Sequence, residues 1–132
     1  MEKKHNKYSF GDIQNEALQI MALSILREIS SSLRESGWFT IMADECTDVS
    51  NKEHFVICFC WVDADLCAHE YIIGLYYVAG IIAITLVSSI EDALLRLSLN
   101  LSHSHGQCYD GASNMAGSKS GVAASIREKE PI

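Results

Sequence analysis

The first long pattern in the sequence is helical. From Ile13 to Leu33, apolar residues recur every three or four positions, which is the spacing of a helix with one buried stripe. Gly37 is a typical residue just after a helix C-terminus. Asp12 lies where a carboxylate can accept hydrogen bonds from the first free backbone N–H groups of a helix. The pattern therefore predicts a helix from near Asp12 to Gly37.

Three runs of strand-forming residues follow this helix. They are Trp38 to Asp44, His54 to Val62 and Ala68 to about Val78, and the second run is apolar on both alternating faces. The polar residues from Cys46 to Lys52 and the turn from Asp63 to Asp65 are short connections between them. Sequential strands with short connections predict an antiparallel meander whose second strand is covered on both faces.

Helical spacing returns after the third strand. The apolar residues from Leu86 to Leu101 predict a helix of about 11 to 15 residues, with Thr85 and Ser88 as alternative N-caps. A short strand from Gly106 to Asp110 and a last helix over about Lys119 to Lys129 complete the order. A meander followed by a crossover helix permits a fourth strand that lies parallel to the first, so the predicted class is α/β with a mixed sheet.

One apolar segment has a second interpretation. Tyr71 to Ile90 are 20 residues without a charge, which is long enough for a helix to cross a bilayer. The segment also contains Gly74 and Gly80, and acidic residues flank it on both sides. We therefore favour a buried strand followed by a helix, and expect no membrane association.

Composition and charge narrow the function classes. The chain has 132 residues, of which 48% are hydrophobic and 20% charged, and this predicts one globular domain over residues 9–132 after a disordered tail over residues 1–8. With a net charge of −7, the chain lacks the positive electrostatic field that is typical of a free-standing DNA-binding domain. Five cysteines, an odd number, without a secretory signal indicate a reducing compartment.

Two acidic residues are the strongest candidates for chemistry. Asp44 ends the first predicted strand, and Asp110 ends the strand after the crossover helix. If these strands are parallel neighbours, both carboxylates emerge at the same sheet edge and can share Mg²⁺ or Mn²⁺. Two such ions activate water and stabilise the leaving oxygen in phosphodiester cleavage. The alternative is that each aspartate only caps a turn.

Other candidates rest on less specific patterns. His103, His105 and Cys108 supply three zinc-ligand types without a fourth, and a solvated loop is the alternative. Cys46 and His54 offer a thiol and a base, but we assign them no catalytic role.

Two longer motifs carry a family resemblance. The segments Phe39 to Glu53 (FTIMADECTDVSNKE) and Gly106 to Gly117 (GQCYDGASNMAG) resemble hAT-type transposases. The resemblance is to the domesticated branch with the DUF4371 domain, which is zinc finger MYM-type-like and repressor of the inhibitor of protein kinase-like. It extends over about Tyr8 to Pro131, which is nearly the whole chain.

The resemblance implies a ribonuclease H-like fold with strand order 3-2-1-4-5 and a nuclear protein. The first two catalytic, metal-binding acids of such transposases fall on Asp44 and Asp110. The third acid, a glutamate, lies far downstream in the family, so we expect a truncated catalytic core that is not a competent nuclease alone. DNA would be contacted through regions outside this chain. The alternative is a nuclear interaction module, without metal chemistry, that binds a protein partner or another copy of itself.

Overall fold

The computed structural model describes residues 10–78, 80 and 82–130. The predicted tail over residues 1–8 lies outside the described residues. The described helices and strands, in chain order, are α1 (Gly11–Ser36), β1 (Phe39–Thr47), β2 (Glu53–Val62), β3 (Ala68–Tyr77), α2 (Ala83–Arg96), β4 (Ser104–Tyr109), α3 (Ser113–Ala116) and α4 (Val122–Lys129), with a 3₁₀ turn over Leu101–His103 before β4.

The four strands form one mixed sheet in the order β3-β2-β1-β4. β1 pairs with β2 and β2 pairs with β3 in antiparallel fashion, which confirms the predicted meander. β4 lies parallel to β1 because α2 carries the chain back across the sheet before β4 begins. The α/β class and the parallel fourth strand are therefore confirmed.

The hydrophobic core lies on one face of the sheet. Alternate strand residues, such as Ile41 in β1 and Phe59 in β2, are fully buried and join one cluster with residues from all four helices. The prediction that β2 is covered on both faces is wrong. Val56, Cys58 and Cys60, which point to the other face, are only half-buried. A run that is apolar on both faces predicts burial on both, but within the described residues only one face is covered.

Helix α1 ends as predicted but is buried over only part of its length. Gly37 has a φ of 79°, the left-handed conformation that terminates a helix at low cost when the residue is glycine. The buried residues of α1, Ile29, Ser30 and Leu33, all lie near its C-terminal end. The predicted continuous buried stripe is therefore wrong for the N-terminal half of the helix. Asp12 lies in the first turn, and no side chain caps the helix.

Helix α2 begins before either predicted N-cap. It starts at Ala83, so that Thr85 and Ser88 lie inside the helix, and the Ser88 hydroxyl donates to the Ile84 carbonyl at 2.9 Å. The apolar side of α2 packs against the core. This packing, rather than the capping preference of Thr85 or Ser88, determines the residue at which the helix begins. The segment Tyr71 to Ile90 is divided between β3 and α2, and among the described residues no helix is long and apolar enough to cross a membrane.

The two hairpins of the meander use the same loop chemistry. In the β1–β2 loop, the carboxylate of Asp48 accepts from the backbone N–H groups of Ser50 and Lys52 and contacts the ring of His54 at 3.1 Å. In the β2–β3 loop, Asp63 accepts from the N–H groups of Asp65 and Cys67, and its other oxygen lies 2.6 Å from the ring of His69. An aspartate thus fixes each turn and joins it to a histidine in the next strand.

Candidate functional site

The two candidate acids lie where the pairing of β1 with β4 ends. Asp110 follows β4, whereas Asp44 lies inside β1, which continues to Thr47 in its pairing with β2, so the predicted end of the first strand at Asp44 is wrong. In the parallel register of these strands, Ala43 is the partner of Tyr109, so Asp44 and Asp110 each follow directly after the last register pair. Both aspartates are exposed. Tyr109 is packed against the core and holds the end of β4 in place. The parallel register therefore places the two residues beside each other, one position beyond the Ala43–Tyr109 pair.

Each aspartate uses one of its oxygens locally. Oδ1 of Asp44 accepts from the backbone N–H of Glu45 at 2.8 Å, and Oδ1 of Asp110 accepts from the N–H of Ala112 at 3.2 Å. The alternative role of capping a turn thus applies to Asp110, whereas Asp44 lies within β1. Within the described part of the chain, Oδ2 of each aspartate forms no hydrogen bond, which leaves one carboxylate oxygen on each residue available to a ligand.

A third acid, Glu45, lies beside the pair on the helix-covered side of the sheet. It continues the buried series of Ile41 and Ala43 in β1 and is half-buried. The side-chain amide of Asn114, in α3, donates to its Oε1 at 2.6 Å. This hydrogen bond joins the end of β1 to the helical turn that follows Asp110, and so it braces the two segments that carry the aspartates.

The charges at this edge affect one another. Burial raises the pKa of the Glu45 carboxyl above its ordinary value, and the negative charges of Asp110, Glu53 and Asp44 raise the pKa further. The hydrogen bond from Asn114 acts in the opposite direction. The charges of these four carboxylates therefore affect one another, and a bound cation would relieve their mutual repulsion.

The donor set at this edge fits a hard divalent cation. Mg²⁺ and Mn²⁺ accept one or two carboxylates and fill their remaining positions with water or phosphate oxygens. Asp44 and Asp110 supply that number of carboxylates. Among the described residues there is no group of three or more His, Cys, Asp or Glu side chains that could hold a metal by itself, so a cation at the pair would depend on other oxygen ligands.

His103, His105 and Cys108 are weak zinc candidates, for which a solvated loop is the alternative. All three residues are described, and they do not form a metal-binding group. The rings of His103 and His105 instead contact Trp38 edge-on, with centroid distances of 5.6 and 3.9 Å. Cys46 faces His54 across the β1–β2 pairing, but the ring of His54 bonds to Asp48.

Sequence reasoning missed Glu45 and Asn114 as members of this site. Both lie in the two motifs, Glu45 immediately after Asp44 and Asn114 four residues after Asp110. Their positions could have been noted, but their contact joins residues 69 positions apart, and spacing along the chain does not predict it.

Comparisons with known proteins agree with this architecture. Residues 1–121 match the family described as DUF4371, the ZMYM1/FAM200 RNase-like domain. The chain belongs to the DUF4371 family. This confirms the resemblance carried by the two motifs. No solved structure matches the chain.

Two curated relatives are similar to this chain over most of its length. The chain is 29% identical to the human 52 kDa repressor of the inhibitor of the protein kinase over 121 residues, which are 89% of this chain. It is 28% identical to the mouse protein of that name over the same share of the chain. The match spans 16% of the length of each relative, so the chain corresponds to about a sixth of those proteins.

Proposed function

We propose that this chain is a DUF4371 domain derived from a hAT-type transposase that keeps a two-carboxylate site for Mg²⁺ or Mn²⁺ and is not a competent nuclease alone. The observation that carries the proposal is the parallel register of β1 and β4, in which Asp44 and Asp110 both follow the Ala43–Tyr109 pair. The RNase-like family supports the same assignment.

The side chains at this edge have separate roles in the proposal. The free oxygens of Asp44 and Asp110 hold the cation, while their Oδ1 atoms are fixed by backbone N–H groups. Glu45 and Asn114 are positioning residues, because their hydrogen bond ties the two acid-bearing segments together. A divalent cation bound here would attract phosphate oxygens of a nucleic acid. Two carboxylates hold such a cation weakly, which is why the isolated chain does not cleave DNA.

Calorimetric titration of Mn²⁺ tests the site. We expect the wild-type chain to bind Mn²⁺ and the variants Asp44→Asn and Asp110→Asn to bind it at least about tenfold more weakly, since each removes one of two charged ligands. Asp65→Asn is the matched control, because it removes the same charge from an exposed loop position at the β2–β3 turn. Equal binding by the wild type and both site variants would remove the cation proposal.

A nuclease assay tests the second part of the proposal. Linear DNA incubated with the chain and Mn²⁺ should remain intact. Cleavage that is lost in Asp44→Asn would show that the chain is an active nuclease and would contradict the stated lack of competence.

The second candidate function is a nuclear protein-interaction module. It is favoured by the apolar residues that the fold leaves uncovered on the sheet face away from the helices. Ile72, Leu75 and Tyr77 of β3 are 67%, 62% and 63% exposed there. The curated relatives are named as repressors of an inhibitor, which suits a regulatory role in the nucleus. A chain that captures a partner equally well with and without divalent cations, and after Asp44→Asn, would favour this candidate.

A further inference from the structure

The N-terminal part of α1 extends beyond the body of the domain. Among residues 11–25, every side chain other than Ile13 is exposed, and contact with the core begins only at Leu26. This segment is about 22 Å long. It carries large apolar side chains, including Leu18, Ile20 and Met21, which are 60–63% exposed. A helix with this much uncovered apolar surface is typical of one that packs against a partner.

One side of this segment has the pattern of a helix-pairing seam. Ile13, Glu16, Ile20, Leu23 and Arg27 follow one another at alternating intervals of three and four residues, which places them along one side of the helix. The two central residues are apolar. The seam carries an acidic residue, Glu16, on the N-terminal side of this pair and a basic residue, Arg27, on the C-terminal side.

This arrangement is self-complementary in an antiparallel pair. When two copies of α1 pack along this seam about a twofold axis at the level of Met21 and Ala22, Ile20 of one copy lies opposite Leu23 of the other. In the same register Glu16 lies opposite Arg27 of the second copy. A twofold axis forms each contact twice, so the pair gains two apolar contacts and two opposite-charge contacts. Neither Glu16 nor Arg27 has a hydrogen bond or ion pair within the described part of the chain.

In this antiparallel arrangement, the N-terminal end of α1 from the second copy would lie next to a basic cleft. It has a volume of about 750 Å³ and runs between α1, β3 and α2. Arg27, Arg34 and Arg96 line it, in a chain whose net charge is −7. Arg34 donates to the Leu97 carbonyl at 2.9 Å, and Arg96 is paired with Asp92. The charge of Arg27 is therefore the one that a partner can neutralise without breaking a described contact.

We infer that α1 is a homodimerisation helix, and that its occupant is α1 of a second copy in antiparallel orientation. In this dimer the first turns of the second helix, which are acidic through Asp12 and Glu16, lie at the mouth of the arginine-lined cleft. The inference gives the interaction-module candidate a partner. It is independent of the acid pair at the sheet edge, and Asp44→Asn should dimerise as the wild type does.

Charge-swap variants test both the dimer and its register. We expect sedimentation velocity to show a dimer for the wild type at micromolar concentration. Glu16→Arg and Arg27→Glu alone should each weaken the dimer about tenfold or more, because each places two pairs of like charges at the seam. All of these side chains are exposed, so far-ultraviolet circular dichroism should show unchanged folding.

The combinations distinguish this register from any other. The double variant E16R/R27E should recover the wild-type dissociation constant. A mixture of the two single variants should form a heterodimer, although neither single variant dimerises well alone, because both cross-pairs are then of opposite charge. Glu28→Arg is the control, since it makes the same charge change as Glu16→Arg on another side of the helix and should dimerise normally.

Three results would overturn the inference. A wild-type chain that is still monomeric when its concentration is raised about 100-fold above the micromolar range has no such interface. Failure of both the double variant and the heterodimer mixture to recover association would exclude the antiparallel register. Dimerisation that survives Ile20→Asp would place the interface elsewhere, for example on the open face of the sheet.

Discussion

The side-chain amide of Asn114 donates a hydrogen bond of 2.6 Å to Glu45, and this contact joins β1, which carries Asp44, to the helical turn that follows Asp110. Glu45 is half-buried, and its pKa is raised by burial and by nearby negative charges, so its charged form is stabilised by a hydrogen-bond donor. Asn114 supplies one without adding a charge. The amide thereby stabilises the charged form of Glu45 and ties the helical turn after Asp110 to β1.

Removal of the Asn114 amide should lower the stability of the domain. We expect Asn114→Ala to lower the free energy of unfolding by about 1 kcal/mol, because it takes a hydrogen bond from a half-buried carboxylate. It should also raise the pKa of Glu45 further, since the amide favours the charged form. Urea denaturation measures the first effect and a carbon-13 titration of the Glu45 carboxyl measures the second. Ser113→Ala, an exposed neighbour in the same turn, is the control.

The raised pKa of Glu45 has a defined effect on stability. A carboxyl whose pKa is higher in the folded state than in the unfolded state favours folding when protonated, and this contribution is lost as the pH rises through the folded pKa. Glu45→Gln should therefore stabilise the domain at pH 7, by about 0.5 kcal/mol, and make no difference at pH 3. Urea denaturation of both proteins at the two pH values checks this. A larger advantage of the variant at pH 3 than at pH 7 would contradict the assignment.

The two hairpin aspartates should show the opposite dependence on pH. Hydrogen bonds from the Lys52 N–H and from His54 lower the pKa of Asp48, and hydrogen bonds from His69 and from the Cys67 N–H lower the pKa of Asp63. Their contribution is present above the unfolded pKa of about 3.9 and is lost as the pH falls through the lower folded value. Asp63→Ala should thus lower the melting temperature more at pH 6 than at pH 2.

The exposed Asp65 in the same loop provides the comparison for that experiment. Asp65→Ala removes a carboxylate from the β2–β3 turn but leaves the bonds of Asp63 in place, so it should change the melting temperature little. Equal losses for the two variants would mean that the turn does not depend on the Asp63 carboxylate.

Substitution of Gly37 should destabilise the domain because of the backbone conformation of this residue alone. Its φ is 79°, and a Cβ built there would meet nothing within 4 Å. Gly37→Ala should therefore destabilise the domain by about 1 to 2 kcal/mol through the left-handed conformation. Gly111 also has space for a Cβ but does not have a positive φ, so Gly111→Ala should change the free energy of unfolding much less. Thermal or urea unfolding of the two variants measures the cost of the left-handed backbone conformation, because an added Cβ has space at both positions.

Much of the site was accessible to sequence reasoning because it depends on local order along the chain. Asp44 and Asp110 each end a predicted strand, and the parallel pairing of β1 with β4 places them beside each other, although β1 itself continues to Thr47. The partnership of Glu45 with Asn114 was not accessible in this way. It arises because the tertiary fold places Asn114 of α3 against Glu45 of β1, and a contact between such distant residues leaves no periodic pattern in the sequence.

The sequence by itself determined the order of helices and strands, the meander, the stop at Gly37 and membership of the DUF4371 family, because these follow from local spacing, turn chemistry and motif letters. Only the tertiary structure decided which faces are covered. The alternating apolar residues of β2 and the apolar residues of α1 are equally fit for burial, and their burial depends on what lies opposite each of them. In the described residues, Phe59 has helices against it whereas Ile20 is left to solvent, since hydrophobic burial is a property of two surfaces that meet.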